Sequence, residues 1–173
     1  MQLLSLNRST VAPLITAQGA VPSAIRKRAI DGDGAVHELG LLGDEQADRR
    51  VHGGPAKAIY AYPSEHYPFW QTVRAQAGQA PWGEAMPWGM LGENLSLRGL
   101  LETQVWAGDR LVFDEGGVVL QVSEPRQPCF KFNAVMGFTQ AAKLMAQSGY
   151  CGFYLAVIRP GRLRAGMGFR LEP

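Results

Sequence analysis

Gln127-Pro128-Cys129-Phe130-Lys131 sets one of the chain's two cysteines directly after a proline and between two basic residues, Arg126 and Lys131. A proline pre-sets φ for a first helical turn, so Cys129 is expected near a helix start, where backbone N–H groups point outward. A helix N-terminus and neighbouring cations lower a thiol's pKa. They favour the thiolate, the form that attacks electrophiles or ligates a soft metal. A lone cysteine is otherwise a small buried hydrophobe, and the spacing by itself leaves both readings open.

A second constellation runs from Gly43-Asp44 through Asp48 to Val51-His52-Gly53-Gly54-Pro55 and Lys57-Ala58-Ile59-Tyr60. Gly53 and Gly54 allow a ligand to approach the backbone and leave N–H groups exposed, while His52 and Lys57 add donors for an anion such as phosphate. The bland alternative is a glycine-rich turn with a surface histidine. Asp44 and Asp48 have the chemistry of metal ligands, although an acidic pair in a loop more often caps a turn or forms a salt bridge. In Gly92-Glu93-Asn94-Leu95, Asn94 can donate and accept at once, which suits holding a heterocycle or orienting a loop.

Composition narrows the class. The 173 residues suffice for one domain, 1–173, with a sizeable core; 46% are hydrophobic and 18% charged. A net charge of +2 is too small to argue for a nucleic acid polymer. No basic region followed by an apolar run opens the chain, and no apolar segment approaches a membrane span. A cytoplasmic protein with two reduced thiols is the expectation, rather than a Cys129–Cys151 bridge.

The elements that must position these residues are short. With 21 glycines and 11 prolines, turns should be frequent. Strands are expected at Gln2 to Leu6, at Ala24 to Ile30 with Ile25 and Ile30 on one side, at Val36 to Leu42, and at Lys57 to Tyr62. Further strands are expected at Val105 to Phe113, Val118 to Val122, Phe153 to Arg159 and Gly168 to Leu171. Pro63 is placed to open a helix through Val73, and residues 78–92 read as a loop rich in Pro and Trp. A short helix should follow Cys129 to Val135, and a second should run from Thr139, its N-cap, to Ser148. The pattern predicts a mainly β protein, a barrel with a few short helices.

Taken in order, Ile25-Arg26-Lys27, residues 43–48 and 52–62, Gly92-Glu93-Asn94-Leu95, Gly108-Asp109-Arg110-Leu111 and Glu124-Pro125-Arg126-Gln127-Pro128-Cys129 resemble the MOSC family. That family is named after the C-terminal domain of molybdenum cofactor sulfurase. The likeness covers nearly the whole chain and is to stand-alone bacterial members related to 6-N-hydroxylaminopurine reductase. Two departures stand out: no proline follows Lys27, and the small C-terminal helical domain of longer relatives is not expected within the sequence to Pro173. The resemblance implies a MOSC-type β-barrel that binds molybdenum cofactor (molybdopterin). Cys129 would be the molybdenum ligand and catalytic centre, Lys27, His52 and Asn94 would line the cofactor cavity, and Arg126 would sit beside the cysteine.

The activity so implied is reduction of small N-hydroxylated compounds, such as hydroxylated nucleobases, by N–O cleavage. Electrons would come from a partner reductase, since no flavin, haem or iron–sulfur motif is present. Two alternatives stay open: a cofactor carrier without turnover, and a hydrolase or transferase using Cys129 with His52.

Overall fold

The computed structural model describes residues 1–48 and 53–173. The strands are β1 (Gln2–Arg8), β2 (Ala12–Thr16), β3 (Gly19–Ser23), β4 (Arg28–Ala29), β5 (Gly34–His37), β6 (Gly40–Leu41), β7 (Ile59–Pro63) and β8 (Leu95–Arg98). They continue with β9 (Arg110–Val112), β10 (Val119–Pro125), β11 (Phe153–Arg159), β12 (Gly161–Leu163) and β13 (Arg170–Glu172). The α-helices are α1 (Tyr67–Gln76), α2 (Phe130–Met136) and α3 (Ala141–Ser148). The chain is mainly sheet with few helices, as its composition predicts.

Eight strands form the central sheet in the order β13-β9-β10-β11-β7-β8-β1-β4. The barrel does not close among the described residues. A single antiparallel bridge, Gln2 to Gly168, joins the two sides, with Leu3 N–H donating to Met167 O at 2.9 Å and Phe169 N–H to Met1 O at 3.2 Å. The reason is local: Gly166 N–H turns back to Leu3 O, so the chain aligns with β1 for only one bridge before β13 begins on β9. The expected pairing of the β9–β10 hairpin and β7 in one sheet system is observed. Strand β7 pairs β11 antiparallel and β8 parallel. A parallel pair needs a crossover, and here it carries α1 and the loop 78–92.

The sheet is buried on both faces along β7 and β11, and side-chain alternation splits the core in two. Ile59, Ala61, Phe153 and Leu155 join Leu3, Leu6, Leu97 and Phe113 in one cluster. Tyr60, Tyr62 and Tyr154 point the other way, against Trp70 of α1, Phe132 of α2 and Met145 of α3.

Several expected boundaries move. Of Ala24–Ile30 only Arg28–Ala29 is strand, because Lys27 N–H turns back to Ile25 O at 3.0 Å; Ile25 and Ile30 consequently pack against different clusters. Pro63 ends β7, and α1 starts only after the 3-10 turn Ser64–His66. Most of Val105–Phe113 is not strand: Asp109 Oδ2 accepts from Trp106 N–H at 2.9 Å and holds a turn there. Gln140, not Thr139, is the N-cap of α3, and Asn133 Oδ1 of α2 serves the exposed amide of Ala142 at 2.8 Å. Among the described residues, no helix is long and apolar enough to cross a membrane.

Candidate functional site

Strand β10 delivers the chain to Arg126, and past Gln127 and Pro128 Cys129 becomes the N-cap of α2 with an extended backbone (φ −131°, ψ 174°). Its carbonyl accepts from Phe132 N–H at 2.9 Å, while its half-buried thiol lines a cleft at the start of the helix. The helix-start position expected for Cys129 is therefore observed. The two basic neighbours diverge. Lys131 donates to Pro22 O at 3.0 Å, tying α2 to β3. Arg126 is buried: its Nη1 donates to Leu91 O at 2.6 Å and to Tyr60 Oη at 3.0 Å, and its guanidinium lies 4.7 Å from the Tyr60 ring and 5.3 Å from that of Phe132. Burial alone would lower its pKa, but Tyr60, Tyr154 and the Cys129 thiol outweigh that, and the guanidinium stays charged beside the thiol.

Lys27 lies on the same cleft. Its ammonium is gripped by Asp44, at 2.5 Å from Oδ1 and 2.7 Å from Oδ2. Burial lowers the Lys27 pKa, and Asp44 opposes the shift. Asp44 is thus an ion-pair partner and turn fastener, also accepting Ser9 N–H at 2.9 Å. Among the described residues no three His, Cys, Asp or Glu side chains group as a metal site.

Asn94 reaches the cleft wall but is 3% exposed with its amide spent. Its Nδ2 donates to Asp44 Oδ2 at 2.9 Å and Asn7 O at 3.2 Å, and its Oδ1 accepts Tyr60 N–H at 3.1 Å. It braces β7 against β1 and steadies Asp44; it has no side-chain donor left for a heterocycle.

The glycine pair does a different task from the one its sequence suggests. Gly54 N–H donates to Gln46 Oε1 at 2.9 Å, and a Cβ on Gly53 would lie 2.4 Å from that same oxygen. Gln46 lines the cleft and occupies the space the two glycines open. Lys57 also lines it, 3.5 Å from Glu124 Oε1 and 5.6 Å from the centre of the Tyr154 ring. His52 lies outside the described residues.

Residues to which the sequence assigned no role complete the surroundings. Tyr60 and Tyr154 form the aromatic wall. Behind it, Glu93 is fully buried and accepts from Tyr67 Oη, from Gly89 N–H at 2.8 Å and from Ser96 Oγ at 2.8 Å, while its Oε2 has no partner among the described residues. Burial raises the Glu93 pKa against those three donors. The cleft, of about 100 Å³, combines a cysteine thiol with the cations Lys27, Lys57, Arg126 and Lys131, and Asp44, Glu45 and Asp48 line it as well. This set suits an anion attached to a soft, thiolate-seeking centre.

The family profile of the MOSC domain matches residues 48–169. Protein YiiM of Escherichia coli (strain K12) is 44% identical over 147 residues, which are 83% of this chain and 61% of that protein. A protein named "Reductase" from Gibberella moniliformis is 34% identical over 148 residues, 86% of this chain but 25% of its own length. The crystal structure of YiiM from Geobacillus stearothermophilus superposes with a TM-score of 0.75 at 31% identity, over 99% of this chain and 75% of that one. The chain thus spans less than two thirds of the curated YiiM sequence and a quarter of the fungal protein. Family profile, sequence relatives and fold agree, and the chain belongs to the MOSC domain family.

Proposed function

We propose that the protein binds a molybdenum–pterin cofactor at this cleft and reduces small N-hydroxylated compounds by N–O cleavage. The observation that carries the reading is the convergence of Lys27, Lys57 and the Arg126–Cys129 stretch, from three separate parts of the chain, on one cleft. The cofactor supplies two-electron chemistry when bound. Cys129 is the metal ligand, because a thiolate is the soft donor such a centre takes and Arg126 beside it favours the ionised form. Lys57 and Lys131 attract the anionic end of the cofactor. Lys27 is held in place by Asp44, and Asp44 in turn by Asn94.

The cleft is smaller than the roughly 300–1,000 Å³ of pockets that engulf a drug-sized ligand, so it grips one end of a pterin rather than enclosing it. His52 is a further cofactor-binding residue in this reading. Membership of the MOSC family and the relative named a reductase support the reading. Electrons come from a separate reductase.

The test is metal analysis of wild-type and Cys129→Ser protein produced in a cofactor-competent host, followed by assay on 6-N-hydroxylaminopurine with a chemical reductant. Near-stoichiometric molybdenum in the wild type alone, together with conversion to adenine, is the expected result. Wild-type protein loaded with molybdenum but inert would instead make it a carrier, and absence of molybdenum would end the cofactor reading.

A further inference from the structure

Tyr154 stands on β11 opposite Glu124 of β10 and Tyr60 of β7. Its neighbours Phe153 and Leu155 enter the first core, so alternation turns its own ring to the cleft side. The ring is firmly held, 8% exposed, with the Tyr60 ring centre at 5.4 Å and the Lys57 ammonium at 5.6 Å.

The neighbouring tyrosines on this face have spent their hydroxyls. Tyr60 Oη donates to Cys151 O at 2.7 Å and accepts from Arg126, Tyr62 Oη donates to Tyr150 O at 2.8 Å and accepts from Trp70 Nε1 at 2.6 Å, and Tyr67 Oη donates to Glu93. The Tyr154 hydroxyl makes no hydrogen bond to any described residue, and it is not sealed from solvent. It shares the cleft with Cys129 and Arg126. Burial raises its pKa above the ordinary 10.0, against the pull of Arg126, so at neutral pH it is a phenol with a proton to donate.

A neutral donor adds little to an anion site already supplied with lysine and arginine. It is the right partner for a neutral polar group that must be told from its reduced form, because a hydrogen bond made to one ligand and missing from the other is a strong discriminator. We propose that Tyr154 recognises the N-hydroxy group, its hydroxyl donating a hydrogen bond to the hydroxylamino oxygen of the substrate. This assignment rests on the reductase reading above and names the residue that selects N-hydroxylated substrate over amine product.

Tyr154→Phe keeps the ring and its packing and removes only the uncommitted oxygen. Molybdenum content and melting temperature should match the wild type. Calorimetric titration of the loaded, oxidised protein should show 6-N-hydroxylaminopurine binding weakened about three- to tenfold and adenine binding unchanged. The kcat/KM for the hydroxylated base should fall at least as far. A variant that binds and reduces the base like wild type overturns the assignment, as does one that loses affinity for both ligands equally or loses molybdenum. If the wild type itself neither binds nor reduces the base, the reductase reading fails and this one with it. Wild-type turnover alongside an unaffected variant removes Tyr154 alone.

Discussion

Arg126 and Tyr60 divide two polar regions that differ in how their groups are used. On the cleft side, Cys129 shares space with Lys57, which faces Glu124, with Lys131, which donates to Pro22 O, and with the open hydroxyl of Tyr154. On the interior side, groups of the same types are spent on one another. Cys151 offers its carbonyl to Tyr60 Oη, His66 Nε2 meets Glu102 Oε2 at 2.8 Å, and Glu93 gathers three donors. The two thiols show the contrast directly. Cys151 has its pKa raised, first by burial and then by Glu102, whereas Cys129 caps a helix within the field of a buried guanidinium. One residue type thus meets a packing environment on one side of Arg126 and, on the other, the environment that favours a thiolate.

The sharpest way to break this comparison is Cys129→Ser. It should abolish molybdenum retention and reductase activity while leaving the melting temperature within a few degrees of wild type, since the thiol is only half buried. Retained molybdenum, read by elemental analysis, would return Cys129 to the packing class. Next in size is Lys27→Ala, which leaves the buried carboxylate of Asp44 with only the neutral donors Ser9 N–H and Asn94 Nδ2 and should cost about 3 kcal/mol in urea unfolding. Lys27→Ala combined with Asp44→Asn should recover part of that loss. A double variant no more stable than the single would show that the ion pair is not the source.

A smaller effect tests the interior region by pH. Glu93 has a folded-state pKa above its ordinary 4.5, so between that value and the raised one the native state keeps a proton that the unfolded chain has lost. Wild-type stability should therefore fall as pH rises through this window, by at most about 1.4 kcal/mol per pH unit. Glu93→Gln, with nothing to titrate, should lack the slope, and unfolding midpoints of the two proteins at several pH values will show whether it does.

The smallest effect belongs to Cys151→Ala. Its main polar contact is through the backbone carbonyl, so molybdenum content should be unchanged and the stability loss should be about 1 kcal/mol or less. In the Cys129→Ser background, alkylation of Cys151 should reach half its limiting rate above pH 9.0, the ordinary thiol value. A lower midpoint would blur the contrast between the two cysteines.

Much of this was legible in the chain itself. Turn punctuation and short apolar runs determined a mainly β protein, and Pro128 beside Cys129 placed the thiol at a helix start, because both signals act over a few residues. The ordered motifs marked the family before any fold was in view. What needed long-range contact was not legible. The β2–β3 hairpin carries Pro13 opposite Pro22 and sends no strand signal, since tertiary contact with α2 rather than propensity holds it.

Barrel closure depends on whether residues at opposite ends of the chain can align, and among the described residues only Gln2 and Gly168 do so. Asn94 and Gly54 looked like ligand-facing donors, yet Asp44, Asn7 and Gln46, distant in sequence from one or both, consume their hydrogen bonds. Tyr154 is the reverse case. Its alternating position in β11 reads as core, and only the folded chain sets its hydroxyl in a cleft where its neighbours leave it free to bond. Residue types determine which chemistry is available, and tertiary structure decides which groups are already spent, because a hydrogen bond's partner is chosen by distance in space.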